Sequence, residues 1–256
     1  MQDQLNKLLA ILEFLSANPV ILTPVIIATI PLVVFIYKNR QYKKGAYYQI
    51  TKNPYSLIQR DKGKYGEYLI YKFLRHFENS GGRFLFNILI PKENGETTEI
   101  DAILICQKGL FVFECKNYSG WIFGNEAHKN WTQTLPKGWD GDCHKERFYN
   151  PIMQNAAHIT HLKNLIGKNV PMRSIIVFSD RCTLKDITIK SNDISVINHY
   201  KIAPLVAKIC NEIQTGIFTE TGINDIYNKL YPYTQFGYEV KNQHIENVRK
   251  NTEFFI

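Results

Sequence analysis

Apolar residues recur along this chain in three rhythms, and each predicts a different kind of element. From residue 16 to 37 the run is nearly continuous, with 22 positions that carry no charge and are dominated by Val, Ile, Leu, Phe and Pro. Between residues 64 and 77 the spacing is helical, with Glu67, Ile70, Tyr71 and Leu74 on one stripe. Residues 83–90, 97–106 and 110–116 are dense in Ile, Leu, Val and Phe and predict three strands, the last two joined by a glycine-containing turn at 107–110. Asn150-Pro151 is an N-cap and first-turn pair that opens a helix running to about 165. Strands at 173–178 and 194–197, a helix at 202–213 and a short helix at 223–230 follow, while the Gly/Trp-rich stretch 118–148 reads as a loop insertion. The order is helix, three strands, helix, strand.

The hairpin carries the candidate chemistry. With Lys108 and Gly109 as its two turn residues, Asp101 lies across from Lys116 and Ile103 across from Glu114. Alternation then puts Asp101, Glu114 and Lys116 on one face with Ile103, Ile105 and Val112. The opposite face is also apolar, so the pair is expected at the centre of a sheet covered on both sides. Charges in such a place need partners or a metal, and two carboxylates against one lysine leave a negative charge over. A divalent cation would neutralise it. A plain Asp101–Lys116 ion pair with Glu114 at a solvated strand end fits the spacing equally well.

The uncharged run at 16–37 would rise roughly 33 Å as a helix, enough for a hydrocarbon core of about 30 Å. It reads as a single transmembrane helix, with Pro24 and Pro31 tolerated inside it. Lys38, Arg40, Lys43 and Lys44 crowd its downstream edge and place the C-terminal part in the cytoplasm. Asp3 and a single Lys7 before the run, with no small-residue cleavage site after it, argue against a signal peptide. The expected organisation is an anchor with basic flank at 1–44, a linker at 45–62, a catalytic-type domain at 63–200 and a helical extension with tail at 201–256. Five scattered cysteines make no disulfide framework and suit a reducing compartment. The net charge of +8 suits an anionic partner, although four of the basic residues flank the apolar run.

Asp101 followed by Glu114-Cys115-Lys116 is, with its surroundings, similar to the nuclease-related domain (NERD) branch of the PD-(D/E)xK nucleases. The resemblance spans about residues 63–165. It rests on Gly66-Glu67, Thr98-Glu99-Ile100-Asp101, the run from Gly109 through Glu114-Cys115-Lys116-Asn117, Gly120-Trp121-Ile122-Phe123-Gly124, Trp131, and Asn150-Pro151-Ile152-Met153-Gln154. Ile100 stands where the superfamily name has proline, and Cys115 is unusual between glutamate and lysine. The resemblance implies an α/β fold, a restriction-endonuclease-like mixed sheet flanked by helices, here preceded by the one transmembrane helix. It also implies that Asp101, Glu114 and the Cys115 carbonyl hold magnesium or manganese. Lys116 would then orient or help deprotonate the attacking water, with Glu67 and Gln154 completing the site. Glu67 also suits a helix N-terminus electrostatically, and Gln154 an ordinary helix surface.

The expected activity is phosphodiester hydrolysis of nucleic acid, DNA ahead of RNA, by a membrane-anchored enzyme. A homodimer would ease cutting of both strands. Trp121, Trp131 and Trp139 interleave with Lys129, Lys137, Lys145 and Arg147, a mixture that could stack bases and track phosphates or simply pack and solvate. A catalytically weak nucleic-acid-binding module and a membrane-bound protein scaffold are the alternatives. His158 and His161, and Cys143-His144, lack the partners of a zinc site. There is no Gly-x-x-x-x-Gly-Lys-Ser/Thr loop and no Gly-x-Ser-x-Gly motif, so neither a P-loop motor nor an α/β-hydrolase is indicated.

Overall fold

In the computed structural model, which describes residues 2–137, 142–236, 242–243 and 246–247, the chain divides after Gly45 into two units, Met1–Gly45 and Ala46–Ile256. The first holds α1 (Gln2–Ala17) and α2 (Pro19–Lys44). Asn18, at φ −124° and ψ 78°, interrupts the helix inside the expected 16–37 span, and Pro19 begins the next one at the position where its missing N–H costs nothing. The uncharged part of α2, from Pro19 to Tyr37, therefore rises only about 28 Å. Among the described residues no helix is long and apolar enough to cross a membrane. The helix instead continues through the basic flank to Lys44.

The expected linker at 45–62 contains two short helices, α3 (Ala46–Thr51) and α4 (Tyr55–Arg60). Tyr47, Ile50 and Ile58 are buried, which makes the segment part of the second unit's core. α5 (Lys62–Leu74) begins at Asp61, whose side chain accepts from the Lys64 N–H, and its expected last turn tightens into a 3-10 helix at 75–80.

Five strands make the main sheet: β1 (Arg83–Pro91), β2 (Thr97–Cys106), β3 (Gly109–Lys116), β7 (Met172–Phe178) and β9 (Ile194–Asn198), in the order β1-β2-β3-β7-β9. The first three are antiparallel, and β7 and β9 run parallel to β3. α6 (Pro151–Ile166) packs on one face, where Leu162 joins Ile103, Ile105, Leu110 and Val112. α8 (Glu220–Leu230) adds Ile223 and Leu230 to the same cluster, so the C-terminal extension completes this core; α7 (Ile202–Glu212) precedes it. On the first half of the sheet Tyr47 and Tyr71 stand edge-on to Phe86 and Phe84, with centroids 4.8 and 5.4 Å apart.

The hairpin register differs from expectation by two residues. Cys106 pairs with Gly109 and Ile103 with Val112, so the turn residues are Gln107 and Lys108. The Gln107 carbonyl accepts from the Ile217 N–H at 2.7 Å, which holds it out of the ladder, and Gly109, at φ +121°, opens β3. An even shift leaves every side chain on its expected face.

The expected loop at 118–148 is a second sheet. β4 (Gly120–Asn125), β5 (Asn130–Lys137), β6 (Asp142–Tyr149) and β8 (Cys182–Thr188) lie in the order β6-β5-β4-β8, with β8 parallel to β4. One face carries Ile122 and Trp131 into a core with Ile152, Ile176 and Phe178, where the Trp131 and Phe178 rings stack at 6.1 Å. Trp131 fits because Gly124 has no Cβ; one there would lie 2.2 Å from the indole ring. Trp131 is thus a packing residue, Trp121 is exposed, and Trp139 lies outside the described residues. Polar residues on the outer face of β5 and on both faces of β6 gave these strands the composition of a solvated loop.

Candidate active site

The site forms where β2 and β3 part, between α5 on one face and α6 on the other. The β2–β3 register ends at Ala102 and Phe113; beyond it the Asp101 carboxylate accepts the Cys115 N–H at 2.7 Å. Glu114 and Lys116 follow on the face of Val112. The Lys116 ammonium lies 2.7 Å from Glu114 Oε1 and donates to Gln154 Oε1 at 2.9 Å. Lys116 therefore pairs with its neighbour two residues back along the same strand, and the expected Asp101–Lys116 cross-strand alignment is corrected by the register.

α6 delivers two side chains. Its N-cap Asn150 accepts from the Ile152 N–H at 2.9 Å and donates to the Glu126 and His128 carbonyls, which ties the helix start to the β4–β5 turn. Asn155 then donates to the Val112 carbonyl and Ser174 Oγ, pinning the helix to β3 and β7. Gln154 and His158, one helical turn apart, consequently share a face toward Glu114. His158 Nδ1 is 2.7 Å from Thr98 Oγ1. Its Nε2 is 3.3 Å from Glu114 Oε2, within ion-pair range, yet both atoms are buried without a directional hydrogen-bond partner.

α5 delivers Glu67 from the other side. Its Oε2 accepts from Tyr47 Oη at 3.1 Å and Asn87 Nδ2 at 3.0 Å. Asn87 occupies the β1 position between the residues paired with Ala102 and Ile100 and adopts φ +51°, a conformation asparagine tolerates better than most residues. Gly66 allows the close approach of α5, since a Cβ there would lie 2.6 Å from Cys115 Sγ. Gly66→Ala is expected to destabilise the protein by about 1–3 kcal/mol through overpacking, measured by denaturant unfolding; unchanged stability would mean that α5 can shift freely.

Electrostatics separate the three carboxyl groups. Burial, and then the charges of Glu114 and Glu67, push Asp101 well above the ordinary carboxylate range. Burial, partly offset by the Asn87 hydrogen bond, raises Glu67 to about 7. Burial would raise Glu114 too, but the Lys116 ammonium and His158 outweigh it and hold its carboxyl below the usual value. Lys116 is the mirror case: burial alone would depress it, and the Glu114 charge keeps it raised.

The donor set suits a hard divalent cation. Among the described residues no group of three or more His, Cys, Asp or Glu side chains could hold a metal ion. Magnesium, however, is commonly held through one or two carboxylates and keeps several waters. Asp101 and Glu114, with the Cys115 carbonyl, match that pattern, and Glu114 Oε2, 3.3 Å from His158 Nε2 and without a directional hydrogen bond, is the carboxylate oxygen that a cation would engage.

Each sequence-predicted site residue, Glu67, Asp101, Glu114, Cys115, Lys116 and Gln154, belongs to this region. The partners that sequence reasoning missed are His158, Thr98, Tyr47 and Asn87. His158 was signalled by its four-residue spacing from Gln154, and Asn87 by its polarity inside the run Phe84-Leu85-Phe86-Asn87-Ile88. Tyr47 lay in the supposed linker and carried no signal.

A mixed α/β domain thus gathers carboxylates, a lysine and a helix-borne glutamine at the open end of its central hairpin, the arrangement that the sequence resemblance implies. The family model described as nuclease-related domain matches residues 62–179. An uncharacterized protein of Bacillus anthracis is 31% identical over 190 residues, covering 74% of this chain and 84% of that protein. The chain belongs to the nuclease-related domain (NERD) family.

Proposed function

We propose that this protein is a membrane-associated, magnesium- or manganese-dependent nuclease that hydrolyses phosphodiester bonds, DNA ahead of RNA. The observation that carries the reading is the gathering of Asp101, Glu114 and Lys116 with Glu67 and Gln154 around one strand end. Asp101, Glu114 and the Cys115 carbonyl would hold the cation, which supplies Lewis-acid polarisation of the phosphate and a lowered pKa for attacking water. Lys116, kept charged by Glu114, is suited to offset phosphate charge and orient the water. Gln154 holds the Lys116 ammonium in place. Glu67, near 7, is the proton acceptor best matched to neutral pH. A dimer would bring two such sites to a duplex.

Plasmid and single-stranded DNA incubated with the full-length protein are expected to be cut with magnesium or manganese and left intact with chelator. Binding without cleavage would point to a nucleic-acid-binding module, and neither to a scaffold.

Support for membrane association comes from the exposure of large apolar side chains on α2: Val20 is 86%, Ile27 67% and Val33 62% accessible. Such a surface calls for an apolar partner, and a span a few ångströms short is accommodated by local bilayer thinning. The basic residues after it favour a cytoplasmic C-terminal domain. The protein is expected to stay with membranes through a carbonate wash; release of intact chain into the soluble fraction would overturn the anchor.

A further inference from the structure

We infer that the outer face of the second sheet is a binding platform for single-stranded nucleic acid. The inference rests on the nuclease reading for the identity of the polymer. Across β4, β5 and β6 the pairing sets two rows side by side. Trp121, Thr134 and Lys145 form one, and Phe123, Thr132 and Arg147 the next. Each row runs from an aromatic ring through a threonine to a cation, with Thr134 itself buried between Trp121 and Lys145 in the pairing. These six residues line a single shallow groove together with Cys143.

The dimensions suit a nucleotide chain. Neighbouring strands lie about 4.8 Å apart, so ring and cation in one row are separated by about 10 Å, and successive rows by about 7 Å. A base stacked on the ring would leave its phosphate within reach of the cation two strands away. An extended, unstacked backbone can follow the step between rows.

Charge on this face is complementary to phosphate. Lys185 of β8 adds a third cation, with Nζ 5.2 Å from the Trp121 ring centre. Asp186, paired with Phe123, is the acid on this side of β8, while Glu146, paired with Gln133, points to the opposite face. Trp121 is 46% exposed although its sheet has a well-formed core on the other side. The exposed Trp121 ring, with Phe123 half-buried beside it, can accept an unpaired base, whereas duplex bases are already stacked, which selects a single strand over a duplex.

The test is fluorescence anisotropy of the full-length protein with a labelled single-stranded oligonucleotide, in chelator so that nothing is cut, across a salt series. Trp121→Ala is expected to weaken binding about 5- to 100-fold and Trp121→Phe to restore most of it. Lys145→Ala with Arg147→Ala should lower the slope of log affinity against log salt by about 1.4. Removing the same charge at exposed Lys208 and Lys229 on α7 and α8 should leave the slope unchanged. Quenching of tryptophan emission on binding should shrink in Trp121→Phe. Absence of single-strand binding, unchanged binding by the face variants, or equal losses for duplex would overturn the platform. The nuclease reading would stand or fall separately on chelator-sensitive cleavage by the same preparations.

Discussion

Asp101→Asn is expected to reduce metal-dependent cleavage by about 10²- to 10³-fold while leaving the protein folded. Asparagine keeps the shape of the side chain and an oxygen that can accept the Cys115 N–H, as Asp101 does at 2.7 Å. It removes the charge that a divalent cation would meet. Because burial and the charges of Glu114 and Glu67 already disfavour an ionised Asp101, removing that ionisation should not lower stability. The measurement pairs a cleavage time course with thermal unfolding in chelator. Full metal-dependent cleavage by the variant would remove Asp101 from the proposed metal site.

Lys116 is a less clean target, for a reason visible in its contacts. Glu114 is almost wholly buried, and it takes the ammonium beside it together with His158 to outweigh the cost of burial and lower its pKa. Lys116→Met would strand that charge, and breaking a buried pair from one side costs about 3–5 kcal/mol. Lost cleavage in that variant would mix catalysis with folding. The same pair explains why Lys116 is better placed to neutralise and orient than to take up a proton.

The hairpin and its charged face were legible because strand alternation survives an even register shift: the turn moved to Gln107 and Lys108, yet Asp101, Glu114 and Lys116 stayed around the site. α6 was legible from Asn150-Pro151. The second sheet was not, since β5 exposes one face, β6 exposes side chains on both, and their threonines, lysines and Glu146 resemble a solvated loop. Only the tertiary contact of Trp131 with Phe178 and Gly124 reveals a core beneath them. Nor does local pattern foretell that Tyr47 and Asn87, 20 residues to either side of Glu67, would meet its carboxylate. Sequence periodicity reports burial; it does not report which buried polar groups satisfy one another.

That last meeting makes Glu67→Gln the most informative stability experiment. In chelator, burial pushes the parent's Glu67 up to about 7 in the folded protein, against an ordinary glutamate value of about 4.5. A raised carboxyl pKa means the folded state prefers the protonated form. Below about pH 4.5 both states are protonated and the group costs nothing. As pH rises from 4.5 toward 7 the unfolded state ionises first, and the penalty grows; above about 7 it is constant. At about 1.36 kcal/mol per unit, the shift corresponds to about 3 kcal/mol. Glutamine cannot ionise and can still accept from Tyr47 and Asn87 through its carbonyl. Glu67→Gln should therefore match the parent's stability near pH 4 and exceed it by about 3 kcal/mol near pH 8, read from denaturant midpoints, while cleavage at neutral pH falls. A stability difference independent of pH would mean that Glu67 is not held in the strained, protonatable state from which the proposed site would draw its base.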